Sequence, residues 1–198
     1  MKTPKIKTER LILREIKPKD IFGYSEILAD KETMNLYGGS TLGSDLEIKN
    51  FVNQMRKQRI QNFSFFWSIV PKIENEFTGF IRLLNYESKY YDLSYGSMGE
   101  YRDSTEFNSY IKRQGWEVDY ALLERHRGKG FMTEAIIAIL DFAKIENLQP
   151  IYAKVNSMEN IPTIRVLEKN NFQELLPQMG KDGKLGMIYK KEGKNHTH

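Results

Sequence analysis

One continuous stretch of this sequence constrains the fold more than any other. A β-prone run at residues 116–123 leads through a charged loop at residues 124–130, which holds two glycines, into residues 131–145. The run 116–123 combines aromatic and apolar residues between turn signals, which is typical of a strand. After it, apolar residues recur at helical spacing on one face: Met132, Ala135, Ile136, Ile139, Leu140 and Ala143. The stretch therefore predicts a strand, a short loop and an amphipathic helix.

The loop of this stretch has the features of an anion-binding site. The first turn of a helix carries backbone N–H groups without internal partners and the positive end of the helix dipole. Glycine at positions 128 and 130 lets these N–H groups approach an anion, because a Cβ there would block close approach. Arg125, Arg127 and Lys129 add positive charge. We expect a diphosphate here, although a plain connection with solvated charges explains the glycines alone equally well.

Other classes of function fit the sequence less well. The loop lacks the third glycine of a dinucleotide fingerprint, and Phe131 follows Gly130 where a nucleotide P-loop needs lysine, which disfavours a hydride-transfer enzyme and an ATPase. The net charge of +4 could favour a phosphate-bearing ligand or reflect scatter around neutrality. No basic stripe with stacking aromatics indicates nucleic acid, and no spacing of histidines and acids indicates a metal.

The rest of the chain predicts an α+β domain. Further strands are expected at residues 10–16, 65–70, 77–84 and 151–155 and on both sides of a turn at 180–183. Further helices are expected after Pro18, after the capping-box pattern of Ser44 and Glu47, and from Pro162 to about residue 170. We predict a largely antiparallel, twisted sheet of six to seven strands flanked by about four helices.

The composition fits one domain. We expect it to span residues 1–192 of the 198, with a polar tail at 193–198 and a tyrosine-rich inserted or extended segment at 86–115. The absence of cysteine excludes disulfides, a thiol nucleophile and cysteine-ligated zinc, and it suits a reducing compartment. No signal peptide and no apolar run of about 20 residues is present. A cytoplasmic protein is the expectation.

Two motifs resemble those of the GNAT acetyltransferase superfamily. Arg125-x-x-Gly128-x-Gly130 is similar to the family's coenzyme A pyrophosphate loop, Gln/Arg-x-x-Gly-x-Gly/Ala. Residues 160–172 resemble the Asn-x-x-Ser-x-x-Val-Leu-Glu-Lys-x-Gly-Phe segment of the branch that acetylates ribosomal-protein N-termini, and residues 8–14 are similar to that branch's first strand. The resemblance covers nearly the whole chain except 86–115. It implies a GNAT-like fold and acetyl transfer from acetyl-coenzyme A to an amine.

The resemblance also implies where acetyl-coenzyme A would lie. In the family it occupies a V-shaped gap between two splayed central strands, which here are residues 116–123 and 151–156. The backbone of Leu122 and Leu123 would bond the pantetheine amides, and Asn160 would contact the same part of the ligand, although Asn160 equally suits a helix cap. The pyrophosphate would be held by Arg125, Arg127, Gly128, Lys129, Gly130, Phe131, Met132 and Thr133.

The resemblance also implies which residues take part in catalysis. Thr163 takes the place of the family's serine, whose hydroxyl would assist the departing thiolate; the alternative is a hydroxyl bonded within its own helix. Leu167 stands where other branches have a tyrosine acid. Glu117 is the candidate base, with Asp119 on the same face of the strand. The alternative is that these carboxylates lie at a solvated edge or pair with arginine.

Several points remain open in the sequence. His126, which is the only histidine outside the tail, is expected to be solvated or next to a phosphate. The acceptor is a peptide α-amine or a small-molecule amine, and the alternative function is a non-catalytic coenzyme A-binding or regulatory protein on the same fold. Residues 86–115 are expected to shape acceptor choice or a homodimer contact.

Overall fold

The computed structural model describes residues 3–37, 41–60, 64–85, 115–179 and 183–193. Its α-helices are α1 (Ile21–Ala29), α2 (Lys31–Tyr37), α3 (Asp45–Ile60), α4 (Phe131–Ile145) and α5 (Ile161–Lys169), with 3₁₀ turns at Pro18–Asp20 and Glu124–His126. Its strands are β1 (Ile6–Lys7), β2 (Leu11–Arg14), β3 (Ser64–Pro71), β4 (Gly79–Asn85), β5 (Trp116–Leu122), β6 (Ile151–Val155), β7 (Gln173–Met179) and β8 (Leu185–Lys191).

All described strands form one sheet in the order β1-β2-β3-β4-β5-β6-β8-β7. Neighbouring strands are antiparallel except β5 and β6, which are parallel. The predicted α+β class and the largely antiparallel sheet are confirmed. In the described part of the chain the sheet has eight strands, and five α-helices flank it. The difference from the prediction includes the two-residue β1, which is too short to show a period-2 pattern.

Helices cover both faces of this sheet. The first face, with α4 and α5, contains Phe65, Trp67, Ile81 and Leu83 from β3 and β4 together with Ala135, Ile136 and Leu167 from the helices. The second face, with α1, α2 and α3, contains Phe66 and Phe80 from the strands together with Tyr24, Met34 and Val52 from the helices. Successive side chains of β3 point to opposite faces of the sheet. Because helices cover both faces, β3 is buried along its whole length.

Local signals in the sequence are found where they were predicted. The capping box before α3 is formed, because Ser44 Oγ accepts from Glu47 N at 3.2 Å and Glu47 Oε2 accepts from Ser44 N at 2.9 Å. Helix α4 has the predicted bounds. Asn171, which stands where the related segment has glycine, adopts a left-handed φ of 56° after α5. Of the segment 86–115 only Gly115 lies within the described residues, and the predicted tail lies outside them apart from residue 193.

No helix in the described ranges is both long and apolar enough to cross a membrane.

Candidate active site

A cavity of about 530 Å³ lies where β5 and β6 diverge. The two strands pair only at Trp116 with Ile151 and at Glu117 with Tyr152, although both continue beyond these residues. The cavity is lined by residues of α2, β5, the glycine loop, the start of α4, β6 and α5. It therefore reaches both faces of the sheet through the predicted V-shaped gap.

The unpaired edge of β5 faces this cavity. Trp116 N donates to Pro150 O at 2.9 Å on the β6 side, whereas Leu123 N donates to Thr78 O at 3.0 Å on the β4 side. Because backbone groups alternate between the two edges of a strand, the N–H and C=O groups of Tyr120 and Leu122 and the carbonyl of Val118 point into the gap, whereas the pairing of Glu117 with Tyr152 uses the N–H of Val118. These groups could pair with an extended ligand as another strand would.

The predicted role of the Leu123 backbone is wrong. Its N–H is used by Thr78, its carbonyl accepts from His126 N at 2.9 Å, and the residue is outside the cavity wall. Leu122 does line the cavity. The prediction failed because it assigned Leu122 and Leu123 the same role, although the backbone groups of adjacent residues point to opposite edges of a strand.

The glycine loop has the geometry of an anion cradle. Gly128 and Gly130 have φ of 74° and 77°, a region that L side chains rarely adopt, and Gly130 caps α4 without a side-chain bond to the helix from any described residue. A Cβ added to Gly128 would meet no described atom within 4 Å, and both glycines line the cavity. The space beside the loop and the N–H groups at the start of α4 thus fit a diphosphate.

The three cations of the loop have different roles. Arg127 lines the cavity, with Nη2 donating to Thr33 Oγ1 at 2.6 Å and Nε to Leu122 O at 3.4 Å. The exposed Arg125 forms an ion pair with Glu26 on α1 instead. The side chain of Lys129 is exposed and is not part of the wall. Only one of the predicted cationic side chains therefore reaches the cavity.

His126 is buried, with 8% of its surface exposed, so the expectation of a solvated residue is wrong. Burial lowers the pKa of its imidazole, and the nearby Lys129 and Arg125 lower it further. It does not line the cavity.

An ion pair that the sequence did not reveal holds the loop against the start of the chain. Arg10 donates to Glu134 through its backbone N at 2.8 Å and its Nε at 2.6 Å, and its Nη1 donates to the carbonyl of Lys129 at 2.8 Å. Its guanidinium also lies 5.1 Å from the centre of the Phe131 ring. Although burial alone would raise the pKa of Glu134, the bonds from Thr8 and Arg10 lower it overall.

Two carboxylates of β5 line the cavity on the second face of the sheet. Glu117 is 2% exposed and forms an ion pair with Lys154 on β6, with 3.3 Å between Oε2 and Nζ. Asp119 accepts from Arg82 Nε at 2.9 Å on each oxygen, and Arg82 Nη2 also donates to Tyr37 Oη at 3.0 Å. Burial raises the pKa of Asp119, and Arg82 only partly opposes this rise. Glu117 and Asp119 thus lie on the same face of β5, as predicted, and Asp119 pairs with an arginine, as in the alternative.

The first face brings two hydroxyl groups to the same cavity. Thr163 lies in the first turn of α5, and Asn160 caps this helix by accepting from Thr163 N at 3.3 Å. Asn160 also lines the cavity, so its role as a cap is compatible with contact to a ligand. Sequence reasoning missed Tyr120, which lies beside Ile81 on this face. The alternation of β5 could have identified it.

Comparisons with known proteins agree with this geometry. Residues 10–173 match the acetyltransferase (GNAT) domain family. The uncharacterized N-acetyltransferase p20 of Bacillus licheniformis is 24% identical over 169 residues, which are 84% of this chain and 81% of that protein.

Two solved structures share the fold over more than nine-tenths of the chain. A ribosomal L7/L12 α-N-protein acetyltransferase in complex with coenzyme A is 12% identical, with a TM-score of 0.69 over 96% of this chain and 98% of that one. Spermidine N-acetyltransferase from Vibrio cholerae, in complex with coenzyme A and spermine, is 18% identical, with a TM-score of 0.67 over 92% and 94%. With its splayed strands and glycine loop, the chain belongs to the GNAT acetyltransferase family and is an N-acetyltransferase.

Proposed function

We propose that this enzyme transfers the acetyl group of acetyl-coenzyme A directly to a primary amine, in the cavity between β5 and β6. The observation that carries the proposal is the loop of Gly128 and Gly130. Gly128 opens onto free space, and the loop leads into the start of α4, whose N-cap Gly130 has no side chain to occupy the free N–H groups. A diphosphate fits there, and it would orient the rest of the ligand along the unpaired edge of β5.

Binding would use two sets of backbone groups. The N–H groups from Gly128 to Thr133 would hold the pyrophosphate, with the Arg127 guanidinium beside them, because the backbone N–H of Arg127 already donates to Glu124 O at 3.0 Å. The edge groups of Val118, Tyr120 and Leu122 would pair with the pantetheine amides. Asn160 would contact the same arm of the ligand from the start of α5.

The chemistry needs a neutral amine and a stabilised oxyanion. We assign Glu117 as the group that takes the proton of the amine, directly or through water, because its carboxylate lines the cavity. The backbone N–H groups of β5 near Leu122 would stabilise the tetrahedral oxyanion. Thr163 would donate a hydrogen bond to the departing thiolate from the other face of the sheet.

The charge of the wall favours a monoamine such as a peptide α-amine over a polycation. Both carboxylates of the wall already have a cationic partner, Lys154 for Glu117 and Arg82 for Asp119. A second ammonium group on the acceptor would therefore have to compete with these partners. An α-amine, with a pKa of about 8 against about 10.4 for lysine, also needs less help to lose its proton.

The cradle is tested by one substitution and a matched control. Gly128→Val places a branched side chain in the space proposed for the diphosphate, so coenzyme A affinity measured by calorimetry should fall at least about tenfold. Gly183 has nearly the same φ, 76°, and equally open surroundings, but it lies outside the cavity wall. Gly183→Val should carry the same backbone strain and bind coenzyme A as the wild type does. Equal affinities of the two variants would refute the cradle.

The reaction is tested by an acceptor screen. Thiol release from acetyl-coenzyme A would be followed with peptides of varied N-terminus, diamines and amino-acid derivatives, and mass spectrometry would locate the acetyl group. Glu117→Gln should lower kcat about 10²-fold or more with the preferred acceptor. Coenzyme A binding without turnover on any amine would instead support the non-catalytic function.

A further inference from the structure

Arg10 lies outside the cavity wall, yet it binds the glycine loop, which forms one end of the wall. Its side chain is 46% exposed, and its Nη1 donates to the carbonyl of Lys129 at 2.8 Å. A bond from Nε to Glu134 Oε2 at 2.6 Å holds the guanidinium in this position. Any effect of Arg10 on a ligand in the cavity would therefore pass through the loop.

The bond to Lys129 determines how the peptide between Lys129 and Gly130 is oriented. This peptide is trans, so its carbonyl and its N–H point in opposite directions. The carbonyl points to Arg10, outside the wall, whereas Gly130 lines the cavity. The N–H of Gly130 is therefore directed toward the cavity, and it forms no hydrogen bond with any residue that the structure describes.

Glycine alone does not determine this orientation. A rotation of the whole peptide would change φ of Gly130 from 77° to a negative value, which glycine adopts about as readily. The rotated peptide would turn the Lys129 carbonyl, with its partial negative charge, toward the place proposed for the diphosphate. Arg10 favours the observed orientation, because its charge-assisted bond to the carbonyl forms only there.

The position of the guanidinium gives the two glycines of the loop different roles. A Cβ added to Gly128 would meet no described atom within 4 Å, but a Cβ added to Gly130 would lie 3.3 Å from Arg10 Nη2. The guanidinium also lies 5.1 Å from the centre of the Phe131 ring, so it packs against the start of α4. Gly128 thus leaves room for the ligand, whereas Gly130 leaves room for Arg10.

We propose that Arg10 is a positioning residue for the acetyl donor, because it binds the Lys129 carbonyl and so keeps the N–H of Gly130 turned toward the diphosphate. The proposal rests on the coenzyme A site proposed above. When only a fraction of the molecules has the loop in the binding orientation, the affinity falls by that fraction. Loss of the guanidinium therefore weakens the binding of donors that carry the diphosphate and leaves the chemical step unchanged.

The experiment compares acetyl-coenzyme A with acetyl-pantetheine, which has the same thioester but no diphosphate. Arg10→Met removes the guanidinium and keeps an apolar stem over Phe131. It should raise the KM of acetyl-coenzyme A and the Kd of coenzyme A about tenfold, with kcat within about twofold of the wild type. Its kcat/KM with acetyl-pantetheine should equal that of the wild type. Because partly exposed ion pairs contribute little to stability, the variant should fold.

The control is Lys72→Met, because Lys72 holds the same turn of the chain without a bond to the loop. Its Nζ donates to the carbonyls of Thr8 and Glu9 at 2.6 and 2.9 Å. The variant removes one positive charge near Arg10, as the test variant does. It should bind coenzyme A with the affinity of the wild type.

Salt separates the orientation of the peptide from attraction between charges. Loss of Arg10 also leaves the Glu134 carboxylate, in the first turn of α4, without its cationic partner near the diphosphate. Repulsion between such partly exposed charges is screened by salt, whereas the orientation of a peptide is not. The ratio of the Kd of Arg10→Met to that of the wild type should therefore persist from about 0.05 M to about 0.5 M salt.

The outcomes separate this inference from the function beneath it. A wild-type protein that does not bind coenzyme A would remove the proposed function. If the wild type binds coenzyme A and Arg10→Met binds it equally well, Arg10 has no positioning role. An equal loss with acetyl-pantetheine, or a matching loss in Lys72→Met, would show a general structural effect and overturn the inference. A ratio of Kd values that falls to about one at high salt would assign the effect to charge alone and overturn it as well.

Discussion

Asp20 shows how this protein keeps a full charge inside its core. The residue has no exposed surface, yet its carboxylate accepts from Arg14 Nη1 and Nη2 at 2.6 and 2.9 Å, from Lys17 N at 2.8 Å and from Ser68 Oγ at 3.1 Å. Burial alone would raise the pKa of Asp20, but these bonds and the Arg14 charge lower it below its usual 3.8. The ionised form is therefore the one that the fold holds.

Replacing Asp20 by Asn should cost about 3–5 kcal/mol of unfolding free energy at pH 7, because Arg14 would remain buried without its counter-charge. Since the folded pKa is lowered, the contribution of Asp20 is complete above about pH 5 and is lost as the pH falls below 3.8 toward the folded value. The variant should thus lose less stability than the wild type on acidification. Urea unfolding at pH 7 and at about pH 3 measures both effects.

The control for Asp20 is Glu159→Gln, which removes an exposed ion pair with Lys184. Its unfolding free energy should stay within about 1 kcal/mol of the wild type at both pH values. An Asp20→Asn variant as stable as this control would show that the buried pair adds no net stability.

Two helices begin with a similar side-chain cap in different surroundings. Ser44 and Glu47 cap α3 reciprocally on an exposed surface, whereas Asn160 caps α5 while lining the cavity. Both caps follow from short sequence patterns. Only the position of α5 beside the splayed strands gives its cap a second possible role.

Two substitutions separate capping from ligand binding. Ser44→Ala should lower the unfolding free energy by about 1 kcal/mol and leave coenzyme A affinity unchanged. Asn160→Asp should preserve stability, because aspartate caps equally well, but should weaken coenzyme A binding several-fold by replacing an amide in the wall with a negative charge. Calorimetry and thermal unfolding measure the two effects. Wild-type affinity in Asn160→Asp would reduce this residue to a cap.

Particular residues show how far the sequence carried the prediction. Helix α4, its glycine loop and the left-handed Asn171 follow from periodicity and turn chemistry within a few residues, so they could be predicted. The edge on which Leu123 lies depends on β4, and the link between Arg10 and Glu134 joins residues 124 positions apart. The direction of Arg125 depends on α1 in the same way. These features require the packed sheet, and no local pattern encodes them.

The molecule as a whole is a sheet that is nearly divided in two. Strands β1 to β5 form one part and β6, β8 and β7 the other, joined by pairing at only two positions of β5 and β6. A ligand bound along the edge of β5 would supply the pairing that β6 does not. Coenzyme A should therefore stabilise the protein as a whole, in proportion to its concentration relative to Kd.

Amide hydrogen exchange tests this at single residues. Saturating coenzyme A should slow exchange at Tyr120 and Leu122 by about tenfold or more, because their N–H groups face the gap. The N–H of Leu123 already donates to Thr78, so it should change no more than the neighbouring β4 amides. Equal protection at Leu122 and Leu123 would contradict the assignment of the edges.

The bond network of Arg10 has a consequence for the evolution of this chain. A protein trimmed to begin at residue 11 would keep every residue of the glycine loop, yet Glu134 would lose its partners Thr8 and Arg10, and the Lys129 carbonyl would lose the guanidinium that holds it. We therefore expect natural selection to act on the opening residues and the loop together. Among relatives, a change at position 10 is expected to accompany a change at position 134.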